Sequence, residues 1–151
     1  RPYMLMHVGA EPGLMRHFIQ GASVADALVI TLPWRESLFR DDSWLMERAL
    51  IARGMGINKL IFAVVEDEAL LQTQFQKTVE FVKGQLMQHE ITCTVTFIPI
   101  IKVSNPDGKG LQSPPWYRGN PLLESLDLIQ APFHSATSAS LRVLLLDAHK
   151  E

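Results

Sequence analysis

The sequence alternates between short apolar runs and longer stretches in which apolar residues recur every three or four positions. Continuous apolar runs are typical of strands buried on both faces, and the wider spacing is typical of helices with one apolar side. Their alternation predicts an α/β fold in three layers, a mostly parallel sheet with helices on both faces. The predicted strands span residues 3–8, 25–32, 60–65 and 91–101, and the predicted helices span residues 14–21, 44–56, 69–89 and 121–130.

The run at residues 60–65 is apolar throughout, and we expect it to be the central strand of the sheet. It leads directly into three acids, Glu66, Asp67 and Glu68. In an open α/β sheet, ligands bind at the carboxyl ends of the strands, so a small-molecule site would border Val65 and these acids. Acidic residues are also typical of the first turn of a helix, where they stabilise the helix dipole without binding a ligand.

The segment KVSNPDGKGLQSPPWYRGNP, at residues 102–121, has the densest glycine and proline content in the chain. Such content predicts a loop, and a loop of this length is usually functional or anchors its neighbours. The composition changes again near residue 133, where a polar linker leads to a strand-like run at residues 141–146. We therefore divide the chain into an α/β domain at residues 1–132 and a second unit at residues 133–151.

With 151 residues, of which 47% are hydrophobic, the chain suits one domain with a sizeable core. Its net charge of −2 gives no overall attraction to nucleic acid or anionic membranes, so we expect no DNA or membrane partner and only weak or indirect RNA contact. The single cysteine, Cys93, excludes an intramolecular disulfide, which favours a reducing compartment such as the cytoplasm. The strand-like neighbours of Cys93 predict a buried, unreactive thiol.

Four segments follow one another in a characteristic order: QGASVADALVI, ERALIARGMGINKLIFAVV, FIPI and PWYRGNPLLESLDLI. Together they resemble the GTP-binding domain of the eukaryotic translation GTPases, which include elongation factor 1-alpha, eukaryotic release factor 3 and its ribosome-rescue relative. The short motifs GAS and GINK are most similar to the release-factor branch. The resemblance implies a P-loop GTPase-like fold. It also implies that residues 133–151 are a linker and the first strand of a following β-barrel domain, or else a C-terminal tail.

The resemblance implies positions for the family's phosphate and magnesium motifs, and this sequence departs from them. No GxxxxGK[ST] occurs, so the expected fold lacks the loop that cradles phosphates. In the family's DxPGH turn, His7 replaces the aspartate and Glu11 the histidine if no gap is allowed. The alternative register places Ala10 and Leu14 there instead. Either register removes both functional groups.

The family's guanine-reading NKxD loop falls on the residues VEDE, and its last nucleotide loop falls on Ile101 and Lys102. Val65 cannot make the hydrogen bonds of the asparagine, and Glu66 puts an anion where the stem of a lysine packs on the base. Glu68 offers a carboxylate that is one methylene longer than the aspartate. We therefore expect a degenerate GTPase-like domain that hydrolyses no GTP and holds no cofactor and no metal.

A domain with this fold and without the nucleotide chemistry is expected to act as a scaffold for a protein partner, with the ribosome or the translation and RNA-decay machinery as candidates. The alternative is a GTP-binding termination or elongation factor whose phosphate loop lies upstream of Arg1. A third hypothesis is a metal-dependent enzyme that uses His7, Glu11 and the acids. It is the weakest, because a turn separates His7 from Glu11 and no third ligand is evident.

The predicted partner contact is the group Trp116, Tyr117 and Arg118, together with Lys109. Tryptophan, tyrosine and arginine are enriched at the energetic centres of protein interfaces, and aromatic side chains can also stack on bases. The resemblance implies the other reading, in which the aromatic pair anchors its loop to the domain.

Overall fold

The computed structural model describes residues 4–9, 12–34, 43–67, 70–105 and 108–129. A 3₁₀ turn precedes the first helix, and strands and helices then alternate until a hairpin follows the third strand. The elements are the turn Pro12–Leu14, α1 Met15–Ala22, β1 Leu28–Pro33, α2 Ser43–Gly54, β2 Lys59–Glu66, α3 Gln72–Gln88, β3 Thr94–Asn105, β4 Gly108–Gln112 and α4 Leu122–Asp127. None of the helices in these described ranges is long and apolar enough to cross a bilayer.

The four strands form one sheet in the order β1-β2-β3-β4. The pairs β1–β2 and β2–β3 are parallel, and β3–β4 is antiparallel. The prediction of a mostly parallel sheet is confirmed, and β2 is an interior strand as expected for the run at residues 60–65.

One face of the sheet packs against α1, α2 and α3. Leu60 and Phe62 of β2 contribute to this core, and α3 adds Val82 and Leu86. Phe62 is fully buried, and its ring stacks on Phe97 of β3 with 5.2 Å between the centroids. Because successive strand residues point to opposite faces, Ile61 and Ala63 belong to the other core.

The other face is covered by α4 and the segment before it. Leu122 and Leu126 of α4, with Tyr117, pack on a small buried cluster in β2 and β3. No residue of α4 is itself buried, so the second helical layer is much thinner than the first. Helices on both faces confirm the three-layer prediction.

A buried arginine joins α1 to α2. Arg48 is 6% exposed, and its guanidinium carbon lies 5.8 Å from the ring centroid of Phe18 and 5.7 Å from that of Trp44. Its Nη1 also donates to the carbonyl of Trp44 at 3.0 Å. A planar guanidinium stacks on aromatic faces and is more weakly hydrated than an ammonium, which suits it to this buried position.

The strand predicted at residues 3–8 is wrong over its described part. Residues 4–9 form no strand, and the side chains of Met4 and Leu5 are 86% and 79% exposed. An apolar run becomes a strand only where a neighbour supplies backbone hydrogen bonds, and periodicity alone does not reveal whether that neighbour is present.

The loop predicted after residue 101 is wrong in its first part. β3 continues to Asn105, and β4 returns beside it from Gly108 to Gln112, so this segment is an antiparallel hairpin. Gly108 and Gly110 lie within β4 itself, and Gly119 and three prolines lie in the segment after it. The unit predicted at residues 133–151 lies outside the described residues, so the domain division stays a prediction.

β1 lies at the edge of the sheet in the described part of the chain. The N–H of Trp34 donates to the carbonyl of Val65 in β2 at 3.3 Å. Backbone polar groups alternate in direction along a strand, so those of Val29, Thr31 and Pro33 point away from β2. Proline has no N–H, and Pro33 removes one donor from the outward side, a common protection against edge-to-edge pairing.

We expect Pro33→Val to increase self-association, because the new N–H extends the set of outward donors on β1. Sedimentation velocity over a range of protein concentrations would show a dimer that the unaltered protein forms less readily. Adding Thr31→Lys, whose side chain would extend from an exposed strand position, should restore the monomer. Equal association of the original protein and Pro33→Val would show that this edge is not open to pairing.

Candidate functional site

The candidate site lies at the carboxyl ends of β2 and β3. The parallel register places Val65 opposite Ile100 and Glu66 opposite Ile101. The positions predicted for the guanine loop and for the last nucleotide loop, which are distant in sequence, are therefore neighbours at one edge of the sheet. This is the crevice in which open α/β sheets bind their ligands.

An ion pair joins β3 to Asp67, the residue that follows β2. Nζ of Lys102 lies 2.6 Å from Oδ1 of Asp67, and the two side chains are 56% and 74% exposed. The backbone N–H of Asp67 donates to Oε1 of Glu66 at 2.9 Å, so the carboxylate of Glu66 bonds the residue that follows it. The sequence placed these residues at the site, but only the register of β2 and β3 shows that Asp67 and Lys102 bind each other.

The groups present suit guanine recognition poorly. Val65 has no polar side-chain atom, and its backbone carbonyl accepts the N–H of Trp34. Ile101 is also apolar, and Glu66 adds a second negative charge beside Asp67. Glu68, which was predicted to retain a carboxylate, lies outside the described residues.

Of the residues predicted at the switch turn in the two registers, the structure describes His7 and Leu14. His7 is exposed in the segment at residues 4–9, while Glu11 and Ala10 lie outside the described residues. Leu14, the alternative position, ends the 3₁₀ turn. Within the described ranges, no three His, Cys, Asp or Glu side chains are grouped so that they could hold a metal ion.

The aromatic residues predicted as a partner contact make internal contacts. Nε1 of Trp116 donates to the carbonyl of Leu70 at 2.9 Å, just before α3. The Trp116 ring lies 5.5 Å from Phe75 of α3 between centroids. The hydroxyl of Tyr117 donates to the carbonyl of Phe97 at 3.3 Å. Burial raises the pKa of Tyr117, so its hydroxyl stays protonated and available as a donor.

These contacts attach the loop before α4 to both α3 and β3, which agrees with the anchoring role that the resemblance implies. Gly119 is required beside them, because a Cβ there would collide with the Tyr117 ring. Arg118 is exposed, and Lys109 lies on β4 opposite Ser104. A partner contact at these four residues stays a prediction, with Arg118 as its accessible described side chain.

A groove that no sequence pattern indicates lies at the opposite, amino ends of β2 and β3. It has a volume of about 350 Å³ and runs beside α4. Its polar lining comes from strand starts and from the segment around α4, namely Lys59, Thr94, Thr96, Tyr117, Asn120 and Ser125. These residues are scattered along the chain and form no motif, so only the packing of α4 on the sheet brings them together.

Cys93 lies just before β3 and is partly buried. Burial raises the pKa of its thiol, and the positive charge of Arg53 offsets part of that rise. A raised pKa lowers the thiolate fraction at neutral pH, so the side chain is a poor nucleophile. This agrees with the predicted unreactive thiol, although the burial is less complete than expected.

We expect Trp116→Phe to lower the free energy of unfolding by about 1–3 kcal/mol, because it leaves the Leu70 carbonyl without the indole donor. Urea-induced unfolding would measure the loss. Arg118→Ala is the matched control, and it should change stability by less than about 0.5 kcal/mol since its side chain is exposed. If the two substitutions have equal effects, Trp116 does not anchor the loop.

No protein-family model matches the chain. It is similar to elongation factor 1-alpha of Aeropyrum pernix, with 36% identity over 128 residues, which is 78% of this chain and 29% of the relative. The same protein from Staphylothermus marinus is 33% identical over 129 residues, which is 78% of this chain and 29% of the relative. That from Thermococcus gammatolerans is 30% identical over 138 residues, 87% of this chain and 31% of the relative. The chain thus spans about a third of the length of these curated relatives.

Proposed function

This chain belongs to the elongation factor 1-alpha family, and we propose from that premise that its α/β domain is a GTPase-like scaffold that hydrolyses no GTP. The relatives described above carry the elongation-factor name, and the nearness to the release-factor branch stays a prediction. On this proposal the domain has lost nucleotide recognition and serves as a binding surface for the translation machinery.

The observation that supports this proposal is the substitution of the guanine-reading groups at the carboxyl end of β2. Val65 removes the hydrogen bonds of the family's asparagine, each worth roughly 0.5–1.5 kcal/mol, and Glu66 places an anion where the stem of a lysine packs on the base. Loss of two such bonds amounts to roughly 1–3 kcal/mol, and each 1.4 kcal/mol is a tenfold change in affinity. The expected weakening is therefore about 5- to 100-fold, before the effect of the Glu66 charge and any loss of phosphate binding.

The proposed partner is a protein component of the ribosome or of the translation and RNA-decay machinery in the cytoplasm. The net charge of −2 supports a protein surface rather than nucleic acid as the direct contact. Arg118 is the described member of the predicted contact that is exposed, and arginine is enriched at the centres of protein interfaces.

Titration with a fluorescent GDP or GTP analogue in the presence of magnesium tests the loss of nucleotide binding. We expect no saturable binding below about 100 μM. The binding free energy would then be weaker than roughly −5.5 kcal/mol. Elongation factor 1-alpha from Aeropyrum pernix, titrated in parallel, is the positive control. Guanine-selective binding at micromolar concentration would contradict the proposal and favour the alternative, a GTP-binding factor with a phosphate loop upstream of Arg1.

Co-sedimentation with purified ribosomes tests the scaffold role. We expect the protein to pellet with ribosomes and Arg118→Ala to reduce the bound fraction several-fold, as is typical when an interface arginine is removed. Lys77→Ala, an exposed cation on α3, is the matched control and should bind like the original protein. Absence of the protein from the pellet would reject the ribosome as its partner, and equal losses for both variants would reject a specific contact at Arg118.

A further inference from the structure

The β3–β4 hairpin extends beyond the end of β2. Pairing between β2 and β3 stops where Glu66 meets Ile101, whereas β3 continues to Asn105. Residues 102–105 therefore pair with β4 alone. At about 3.3 Å per residue, these four residues form an arm roughly 13 Å long. A two-stranded arm of this kind is marginally stable by itself, so contacts at its base decide its position.

The base of the arm is bound to Asp67, the residue that directly follows β2. Lys102 is the first residue of β3 beyond the β2 pairing, and it forms the 2.6 Å ion pair with Asp67. Asp67 is itself held by the bond from its N–H to Glu66. The contact therefore joins a fixed strand end, through Asp67, to a hairpin that the rest of the sheet does not support.

We propose that the Asp67–Lys102 ion pair is a latch that holds the base of the β3–β4 hairpin against the end of β2 and closes the space between these two side chains to flat ring ligands. A ring between two groups needs about 3.5–4.0 Å on each side, or roughly 7 Å in all. The observed separation of 2.6 Å leaves no such gap. The ion pair and a ring inserted between its two groups therefore exclude each other.

The latch is weak and depends on salt, because both side chains are more than half exposed. Exposed ion pairs shift an equilibrium between open and closed states by roughly 1.4- to 5-fold. Raising the salt concentration from 0.1 M to 1 M shortens the screening length from about 10 Å to about 3 Å, which weakens exposed pairs further. The closed state is therefore favoured at low salt without being locked.

Hydrogen exchange measured by mass spectrometry on peptides covering residues 101–112 tests the latch. The four proteins are the original, Asp67→Asn, Lys102→Met and the double variant, each in low salt and in 1 M NaCl. We expect each single substitution to speed exchange by roughly 1.4- to 5-fold in low salt. The double variant should exchange no faster than the singles, since all three lack the same pair, and 1 M NaCl should remove most of the difference.

Lys77→Met is the matched control, because it removes an exposed cation from α3, away from the hairpin. It should leave exchange at residues 101–112 unchanged. Peptides covering β1 should exchange equally in all variants, which separates local opening from general destabilisation. Additive effects of the two substitutions, or unchanged exchange in the hairpin, would overturn the latch.

The latch rests on the proposed function only in the claim that the crevice is closed to a base, so the two can fail separately. Absence of coupling between Asp67 and Lys102, with no binding of the fluorescent GDP analogue, would reject the latch and leave the proposed function standing. Saturable GDP binding that leaves the coupling intact would reject the proposed function and the closed crevice, and would retain the ion pair as a support of the hairpin alone.

Discussion

The domain depends on the burial of β2 between two parallel neighbours. Residues 60–64 are at most 3% exposed, and β2 pairs with β1 on one side and with β3 on the other. Its alternating side chains supply both cores, with Phe62 beneath α1, α2 and α3 and Ala63 beneath α4. Burial of a large apolar side chain contributes about 1.5–3 kcal/mol, and four of these five residues are of that kind, so the run resists polar substitution. Polar substitutions in β2 are tolerated only at the end of the strand, outside the core.

The register of β2 connects this core to the candidate site. A shift of one residue would exchange the faces of the whole strand, so the two cores fix which residue pairs with which. The same pairing that buries Phe62 against Phe97 sets Glu66 opposite Ile101 and brings Asp67 to Lys102. The geometry at the edge of the sheet is thus imposed by apolar packing several residues away.

Apolar periodicity predicts the parts of the fold that are determined locally. It identifies β1, β2, β3 and the helices α1 to α4, because the spacing of apolar residues within each element defines the face that packs on the core. It fails at residues 4–9, where strand formation requires a neighbouring strand. It also fails in the β3–β4 hairpin, because the glycine and proline content of that segment predicts a loop where a short antiparallel pairing forms. Family resemblance located Asp67 and Lys102 but not their ion pair. The groove beside α4 escaped prediction because its lining comes from separate elements.

The substitutions at the site differ in kind from those that a core tolerates. At the carboxyl ends of β2 and β3, the residues at the positions predicted for the nucleotide loops contact the protein: Glu66 bonds the backbone of Asp67, and Asp67 binds Lys102. Loss of a ligand would leave loops without contacts, and internal bonds of this type offset part of that loss. A fold can therefore outlast the chemistry once performed at its edge, provided that the edge acquires partners of its own.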